Sequence, residues 1–128
     1  MNSIKGKFAL VTGGTQGLGA AIAKNFADSG AEGVVTIGRK EDKGNEVAKK
    51  IQDETGCKVI FVKTDLGEVQ ECRNAVSVAK QEFGRLDVLV NAAGITDRGD
   101  IVNTSEELFD KMIGTNLKGP YFLIQDTV

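Results

Sequence analysis

A glycine-rich stretch near the start of the chain, VTGGTQGLG at 11–19, contains the first residues whose spacing could do chemistry. It holds four glycines in nine residues. Glycine loses more conformational freedom on folding than other residues, so such a cluster indicates that something must come close to the main chain. An apolar run precedes the stretch and a helical pattern follows it. A helix that begins there presents unpaired N–H groups and a partial positive charge, which favour a phosphate group.

Three of these glycines have distinct predicted roles. Gly13 permits the turn, Gly17 allows a ligand to approach the backbone, and Gly19 allows the helix to pack closely. The alternative is that the glycines only turn the chain. The loop residues that we expect beside a bound diphosphate are Gly13, Thr15, Gln16, Gly17, Leu18 and Gly19.

Apolar runs and helical stripes alternate along the rest of the chain. Runs rich in β-branched residues predict buried strands at 8–12, 34–37, 59–62 and 86–90. Between them apolar residues recur with helical spacing, and the longest such stripe is Val69, Cys72, Val76, Ala79 and Phe83. Parallel strands need long crossover connections, so this alternation predicts an α/β fold, a doubly wound parallel sheet with helices on both faces.

The last segment has its own start signal. Thr104 and Glu107 have the spacing of a capping box, which predicts a helix from there onward. Gly119 and Pro120 predict a kink or break in that helix. Its expected apolar positions are Leu108, Met112, Leu117 and Ile124.

Composition excludes several functional classes. With 128 residues and 41% hydrophobic content, the chain fits one domain. A formal charge of −2, spread along the chain, gives no basic stripe for nucleic acid or an anionic membrane surface. The short apolar run before the glycines predicts neither a signal peptide nor a membrane span.

The chain has two cysteines, Cys57 and Cys72, and no histidine. They form no CxxC pair, so we expect no metal site and predict buried free thiols in a reducing compartment, which favours the cytoplasm. Without histidine a Ser-His-Asp triad is impossible. No carboxylate cluster has metal-ligand spacing.

The pattern T-G-x-x-x-G-x-G at 12–19 resembles the cofactor loop of the short-chain dehydrogenase/reductase family. Three further matches follow in order. Asp65 and Leu66 resemble the family's adenine-contacting pair, the NAAG segment ends the fourth strand as it does in the family, and Asn116 has the position of its catalytic asparagine. The NAAG residues are Asn91, Ala92, Ala93 and Gly94.

This resemblance covers essentially the whole chain and implies a Rossmann-type sheet with strand order 3-2-1-4. Simpler interpretations remain open for each residue. Asp65 could cap a helix that begins near Glu68, Asn91 could tie neighbouring strand ends, and Asn116 could be an ordinary helix-surface residue.

The end of the second predicted strand, TIGRK, bears on the choice of cofactor. NAD-binding sites usually place a carboxylate there, which bonds the ribose 2′-hydroxyl and repels a 2′-phosphate. Here Gly38 occupies that place, and Arg39 can bind phosphate oxygens through its guanidinium group. The sequence therefore predicts NADP(H) in preference to NAD(H). The alternative is a solvated Arg39–Lys40 pair.

The chain also departs from the family, whose catalytic residues are a tyrosine, a lysine, a serine and the asparagine. The family pattern Tyr-x-x-x-Lys is not matched, because Tyr121 is followed four positions later by Gln125. An unperturbed tyrosine titrates near pH ~10 and is a poor base at neutral pH. We therefore expect residues 1–128 to be an NADP(H)-binding Rossmann domain that lacks the family's C-terminal catalytic portion and is inactive alone.

The resemblance implies hydride transfer between nicotinamide and a small carbonyl or alcohol substrate, as in 3-oxoacyl-carrier-protein reductases or sugar and polyol dehydrogenases. The alternatives are a non-catalytic module that binds or senses NADP(H) and an interaction fragment without nucleotide affinity. Asp97 and Arg98 could touch substrate or water, and water is favoured. The strand at 86–90 would form an uncovered sheet edge, which predicts a homo-oligomer.

Overall fold

The computed structural model describes residues 3–95 and 99–128 of the chain. Strands and helices alternate through most of it. Their bounds are β1 (Phe8–Thr12), α1 (Gly17–Asp28), β2 (Gly33–Gly38), α2 (Glu41–Thr55), β3 (Lys58–Lys63), α3 (Val69–Phe83), β4 (Val88–Val90), α4 (Glu106–Ile113), a π-helical turn (Gly114–Lys118) and α5 (Gly119–Thr127).

The four strands form one parallel sheet in the order β3-β2-β1-β4, which confirms the predicted topology. Thr12 at the end of β1 lies beside Ile37 of β2, and Val11 lies beside Val90 of β4. The carboxyl ends of the strands therefore share one edge. From β1 the chain adds β2 and β3 on one side, and it then crosses back to place β4 on the other side of β1. Parallel α/β sheets bind ligands at such a point, where the strand order reverses.

Apolar side chains bury both faces of the sheet. Leu10 and Val35 pack with Val76 of α3 and Leu123 of α5 on one face. The other face packs against α1 and α2. Cys57 and Cys72 belong to these two clusters and are buried as predicted. Burial raises the pKa of the Cys72 thiol to about 11, so this group stays protonated at neutral pH.

Strand β4 is shorter than the apolar run at 86–90 predicts. A carboxylate oxygen of Asp87 accepts the N–H of Phe8 at 2.9 Å, and the Asp87 N–H bonds to the Phe8 carbonyl. The Asp87 side chain thus makes a hydrogen bond where main-chain pairing would begin, and the regular pairing of β1 with β4 starts at Ala9 and Val88.

The predicted capping box at Thr104 and Glu107 is wrong. Ser105 is the N-cap of α4, and its hydroxyl accepts the Leu108 N–H at 3.1 Å. The Thr104 hydroxyl instead donates to the carbonyl of Asp100 at 2.7 Å. The adjacent hydroxyl is engaged by the preceding turn, so the helix begins one residue later.

The predicted break near Gly119 and Pro120 takes the form of the π-helical turn. Pro120 has no N–H to donate to the carbonyl four residues earlier, and the Gly119 N–H bonds to the Gly114 carbonyl, five residues back. A Cβ at Gly119 would overlap the Leu66 carbonyl oxygen. The absence of that atom lets α5 pack directly on the segment after β3.

The π-helical turn also changes which side chains of the last helices face the core. Leu123 and Gly119 are buried, whereas Leu117 and Ile124, expected to face inward, are exposed. None of the helices in the described ranges combines the length and apolar character that a membrane span requires.

Candidate functional site

A cleft of about 370 Å³ opens at the carboxyl edge of the sheet, between the loops that follow β1 and β4. Its volume falls in the range of small-molecule sites. Ten of the predicted site residues line it, namely Gly13, Thr15, Gln16, Gly17, Arg39, Asp65, Leu66, Ala92, Ala93 and Gly94. Four others, Leu18, Gly19, Asn91 and Asn116, are not among the residues that line the cleft.

The glycine loop forms one wall of this cleft. Gly13 has φ of 72° and Gly17 has φ of 59°, in the left-handed region that favours glycine. A Cβ at Gly13 would lie 3.1 Å from Ala93, whereas a Cβ at Gly17 would meet no atom within 4 Å. Gly13 thus allows the two loops to approach, and Gly17 leaves open space above the start of α1.

The first turn of α1 carries the positive end of a helix dipole. Gln16 is the N-cap, and its side chain makes no capping hydrogen bond. The first turn has no acidic residue either. A Cβ at Gly19 would overlap the Gly13 carbonyl oxygen, so the helix packs directly on the loop. This arrangement suits an anionic group held by backbone N–H donors.

A buried threonine joins the two loops, and the sequence did not assign it this role. The Thr12 hydroxyl accepts the N–H groups of Ala92 at 2.9 Å and Ala93 at 3.0 Å. The tie between the ends of β1 and β4, considered as a role for Asn91, is therefore made by Thr12. Thr12 is the first residue of the T-G-x-x-x-G-x-G pattern, and this position in the motif is the feature of the sequence that could have indicated its role.

The segment after β3 forms the opposite side of the cleft. A carboxylate oxygen of Asp65 accepts the Gly67 N–H at 2.9 Å, and the Asp65 N–H donates to the Glu71 carboxylate at 3.1 Å. Glu68, not Asp65, is the N-cap of α3, so the capping role considered for Asp65 is wrong. Leu66 is buried and contributes apolar surface to the cleft.

The corner between β2 and α2 is cationic. Arg39 and Lys40 are exposed and both line the cleft. Gly38 precedes them, and a Cβ there would lie 3.0 Å from the methyl carbon of Thr15, which is itself buried. A carboxylate side chain at position 38 would have to displace Thr15. The lining residues that were not predicted site residues are Ile37, Gly38, Lys40, Thr64, Ile95 and Thr115.

Asn116 lies in the π-helical turn and clamps the loop that follows β4. Its side-chain oxygen accepts the Ile95 N–H at 2.8 Å, and its amide nitrogen donates to the Ile95 carbonyl at 2.8 Å. The interpretation as an ordinary surface residue is therefore wrong. Pro120 cannot donate to the main-chain carbonyl of Asn116, which is four residues earlier.

Two further groups complete the surroundings. Tyr121 is exposed on α5 and is not among the residues that line the cleft. Asp97 and Arg98 lie outside the described residues. Within 3–95 and 99–128, no three histidine, cysteine or acidic side chains are grouped so that they could hold a metal ion.

The chain is similar to known proteins in sequence and in structure. The sequence model of short chain dehydrogenases matches residues 7–128. An uncharacterized oxidoreductase of Staphylococcus saprophyticus is 37% identical over 97% of this chain and 53% of its own. The 3-oxoacyl-acyl-carrier-protein reductase FabG of Chlamydia muridarum is 40% identical over 94% of this chain and 49% of its own.

The chain is also similar to a solved structure over almost its whole length. L-sorbose reductase from Gluconobacter frateurii, complexed with NADPH and L-sorbose, superposes with a TM-score of 0.93 at 29% identity, over 98% of this chain and 47% of that one. The chain thus spans about half the length of the relatives it matches.

The Thr12 hydroxyl allows a direct test of how the two walls are joined. Thr12→Val keeps the side-chain shape but leaves the Ala92 and Ala93 N–H groups without their acceptor. An unpaired donor costs about 1–3 kcal/mol when it is buried, and these two N–H groups are partly buried, so we expect the free energy of unfolding in urea to fall by about 1 kcal/mol, the lower end of that range. Thr12→Ser keeps the hydroxyl and is the matched control. The serine variant loses a buried methyl group, so the deciding measurement is amide hydrogen exchange: exchange at Ala92 and Ala93 that is no faster in the valine variant than in the serine variant would contradict this role.

Proposed function

The chain belongs to the short-chain dehydrogenase family, and we propose that it forms the NADP(H) site of an oxidoreductase that transfers hydride between nicotinamide and a carbonyl or alcohol substrate. The observation that carries the proposal is the cleft itself. One wall is a glycine loop at an uncapped helix start, and one corner holds Arg39 and Lys40.

The residues present fit a dinucleotide. Gly17 leaves room for a diphosphate because it has no Cβ where the cleft is open, and the first turn of α1 supplies N–H donors. Asp65 and Leu66 would contact the adenine, and the NAAG segment would lie beside the nicotinamide half. When bound, the cofactor supplies or accepts the hydride.

The cationic corner supports NADP(H) over NAD(H). A 2′-phosphate at that corner would meet the guanidinium of Arg39 and the ammonium of Lys40, with no carboxylate at position 38. The NADPH complex of the similar L-sorbose reductase agrees with this preference.

We expect NADPH to bind more tightly than NADH. A charge-assisted bond from Arg39 is worth about 1.5–3 kcal/mol, which corresponds to roughly 10- to 150-fold in the dissociation constant. Arg39→Asp should reverse the preference in calorimetric titrations. Lys50→Asp makes the same change of charge at an exposed α2 position outside the cleft lining and should leave the preference intact. Equal affinities in the unsubstituted chain would show that Arg39 is only solvated.

We further propose that residues 1–128 hold the cofactor but do not complete the chemistry. A carbonyl reduction needs a proton donor within hydrogen-bond reach of the nascent alkoxide. Tyr121 is not among the residues that line the cleft, and the residue four positions after it is Gln125, not a lysine. Asn116 is committed to the Ile95 backbone. Its proposed role is to hold the loop at the nicotinamide end.

The corresponding activity prediction is that this chain shows no steady turnover. Acid/base groups typically contribute about 10²- to 10⁴-fold, and among the described residues neither Tyr121, which is outside the cleft lining, nor Asn116, which bonds the Ile95 backbone, is placed to supply one. The measurement is NADPH absorbance with 3-oxoacyl thioesters, ketoses and simple ketones, the substrate classes suggested by the relatives. Turnover that Tyr121→Phe abolishes would contradict the proposal. Activity that appears when the family's C-terminal catalytic portion is added would support the oxidoreductase, whereas tight NADPH binding that stays without activity after that addition would favour a sensing module.

We also propose that the chain self-associates. Strand β4 is the edge of the sheet, and the α4–α5 segment exposes Phe109, Ile113, Leu117, Tyr121 and Ile124. Such edges and apolar faces favour contact with another chain. Light scattering should show dimers or larger species, and a strict monomer across a wide concentration range would contradict this. The cytoplasmic location inferred from the free thiols stays a prediction.

A further inference from the structure

The aromatic ring of Phe61 lies beneath the corner that carries Arg39 and Lys40. Phe61 is on β3, where it pairs with Thr36 of β2, and it packs against the apolar cluster between the sheet and α1 and α2. Its ring atoms lie 3.6 and 3.9 Å from the position that a Cβ on Gly38 would take. The ring therefore supports the end of β2.

The same ring supports the start of α2 through Gly44. Gly44 is buried, and a Cβ on it would overlap three atoms of the Phe61 ring. Its N–H donates to the Lys40 carbonyl at 2.8 Å. A glycine inside a helix costs about 0.5–1 kcal/mol relative to alanine, so its presence one turn from the helix start calls for a reason. Close packing on the ring supplies that reason.

Arg39 and Lys40 are the whole link between the two supported elements. Strand β2 ends at Gly38 and α2 begins at Glu41, so both ends of a two-residue connection rest on one ring. Such a short link has no slack to absorb a movement of α2. The height of α2 above Phe61 therefore sets where the two cations lie at the cleft.

We propose that Gly44 and Phe61 are positioning residues for cofactor selectivity, which place Arg39 and Lys40 to meet the 2′-phosphate. This inference rests on the proposed NADP(H) site. The glycine loop is anchored on β2, because the Gly13 and Gly14 N–H groups donate to the Ile37 carbonyl at 3.0 and 3.2 Å, and these bonds do not involve α2. A displacement of α2 should therefore weaken the binding of NADPH while leaving that of NADH almost unchanged.

The test is Gly44→Ala, with dissociation constants for NADPH and NADH measured by calorimetry. A methyl group must lift α2 or turn the ring, and charge-assisted bonds depend on close contact. We expect the NADPH affinity to fall by about five- to tenfold and the NADH affinity by less than about twofold. Asn45→Ala, at the exposed neighbouring position, is the control and should change neither.

A second substitution that makes room for the methyl group distinguishes a positioning role of Gly44 from a general loss of structure. Adding Phe61→Leu to Gly44→Ala makes room for the methyl group and should restore most of the NADPH preference. Equal loss of both affinities in Gly44→Ala, an unchanged preference, or failure of this rescue would each overturn the inference. If Gly44→Ala does not fold, Phe61→Leu alone decides, because it should lower the NADPH preference and an unchanged ratio would overturn the inference.

The outcome is separable from that for the proposed function. An unsubstituted chain without NADPH preference would contradict the cofactor assignment and this inference together. A chain that prefers NADPH through Arg39 but keeps its preference in Gly44→Ala would retain the proposed function and lose only the positioning role.

Discussion

The Thr12 hydroxyl is the contact on which the cleft depends, because it accepts two N–H groups from the loop after β4 while it sits at the end of β1. These two bonds set the distance between the two loops at the point where the strand order reverses. Gly13 then has no space for a side chain, since a Cβ there would crowd Ala93. The close approach of the loops after β1 and β4 thus follows from one buried hydroxyl and one bare backbone position.

Two parts of the cleft favour anions, and they do so by different means. At one end, α1 starts without a capping side chain, whereas the N-terminus of α4 is satisfied by the Ser105 hydroxyl. At the other end, Arg39 and Lys40 provide side-chain cations on a link held by Phe61. Backbone donors bind an anion through fixed geometry, and side-chain cations bind through charge. A ligand with two separated phosphate groups matches both ends, which is the basis for proposing NADP(H).

Local patterns predicted the elements well, and the resemblance supplied their order. Strand β1 and its glycine loop could be predicted from the sequence because both depend on residues that are neighbours along the chain. The contacts that join distant segments could not be predicted in this way. Asp87 shortens β4 by taking the Phe8 N–H, Thr12 reaches the loop after β4, and Ser105 replaces Thr104 as the cap because Asp100 engages the latter. Each of these depends on which side chain meets which backbone group after folding.

The assignment of the cleft as a cofactor site is tested most directly by an amide ¹H–¹⁵N titration of the chain with NADP⁺. We expect the largest shifts at Gly13, Gly17 and Ala93 around the loops, and at Arg39 and Lys40 at the cationic corner. Residues of the exposed α4–α5 face should change little. Shifts confined to that face, or none at concentrations well above those at which dinucleotides bind in such sites, would contradict the assignment of the cleft as a cofactor site.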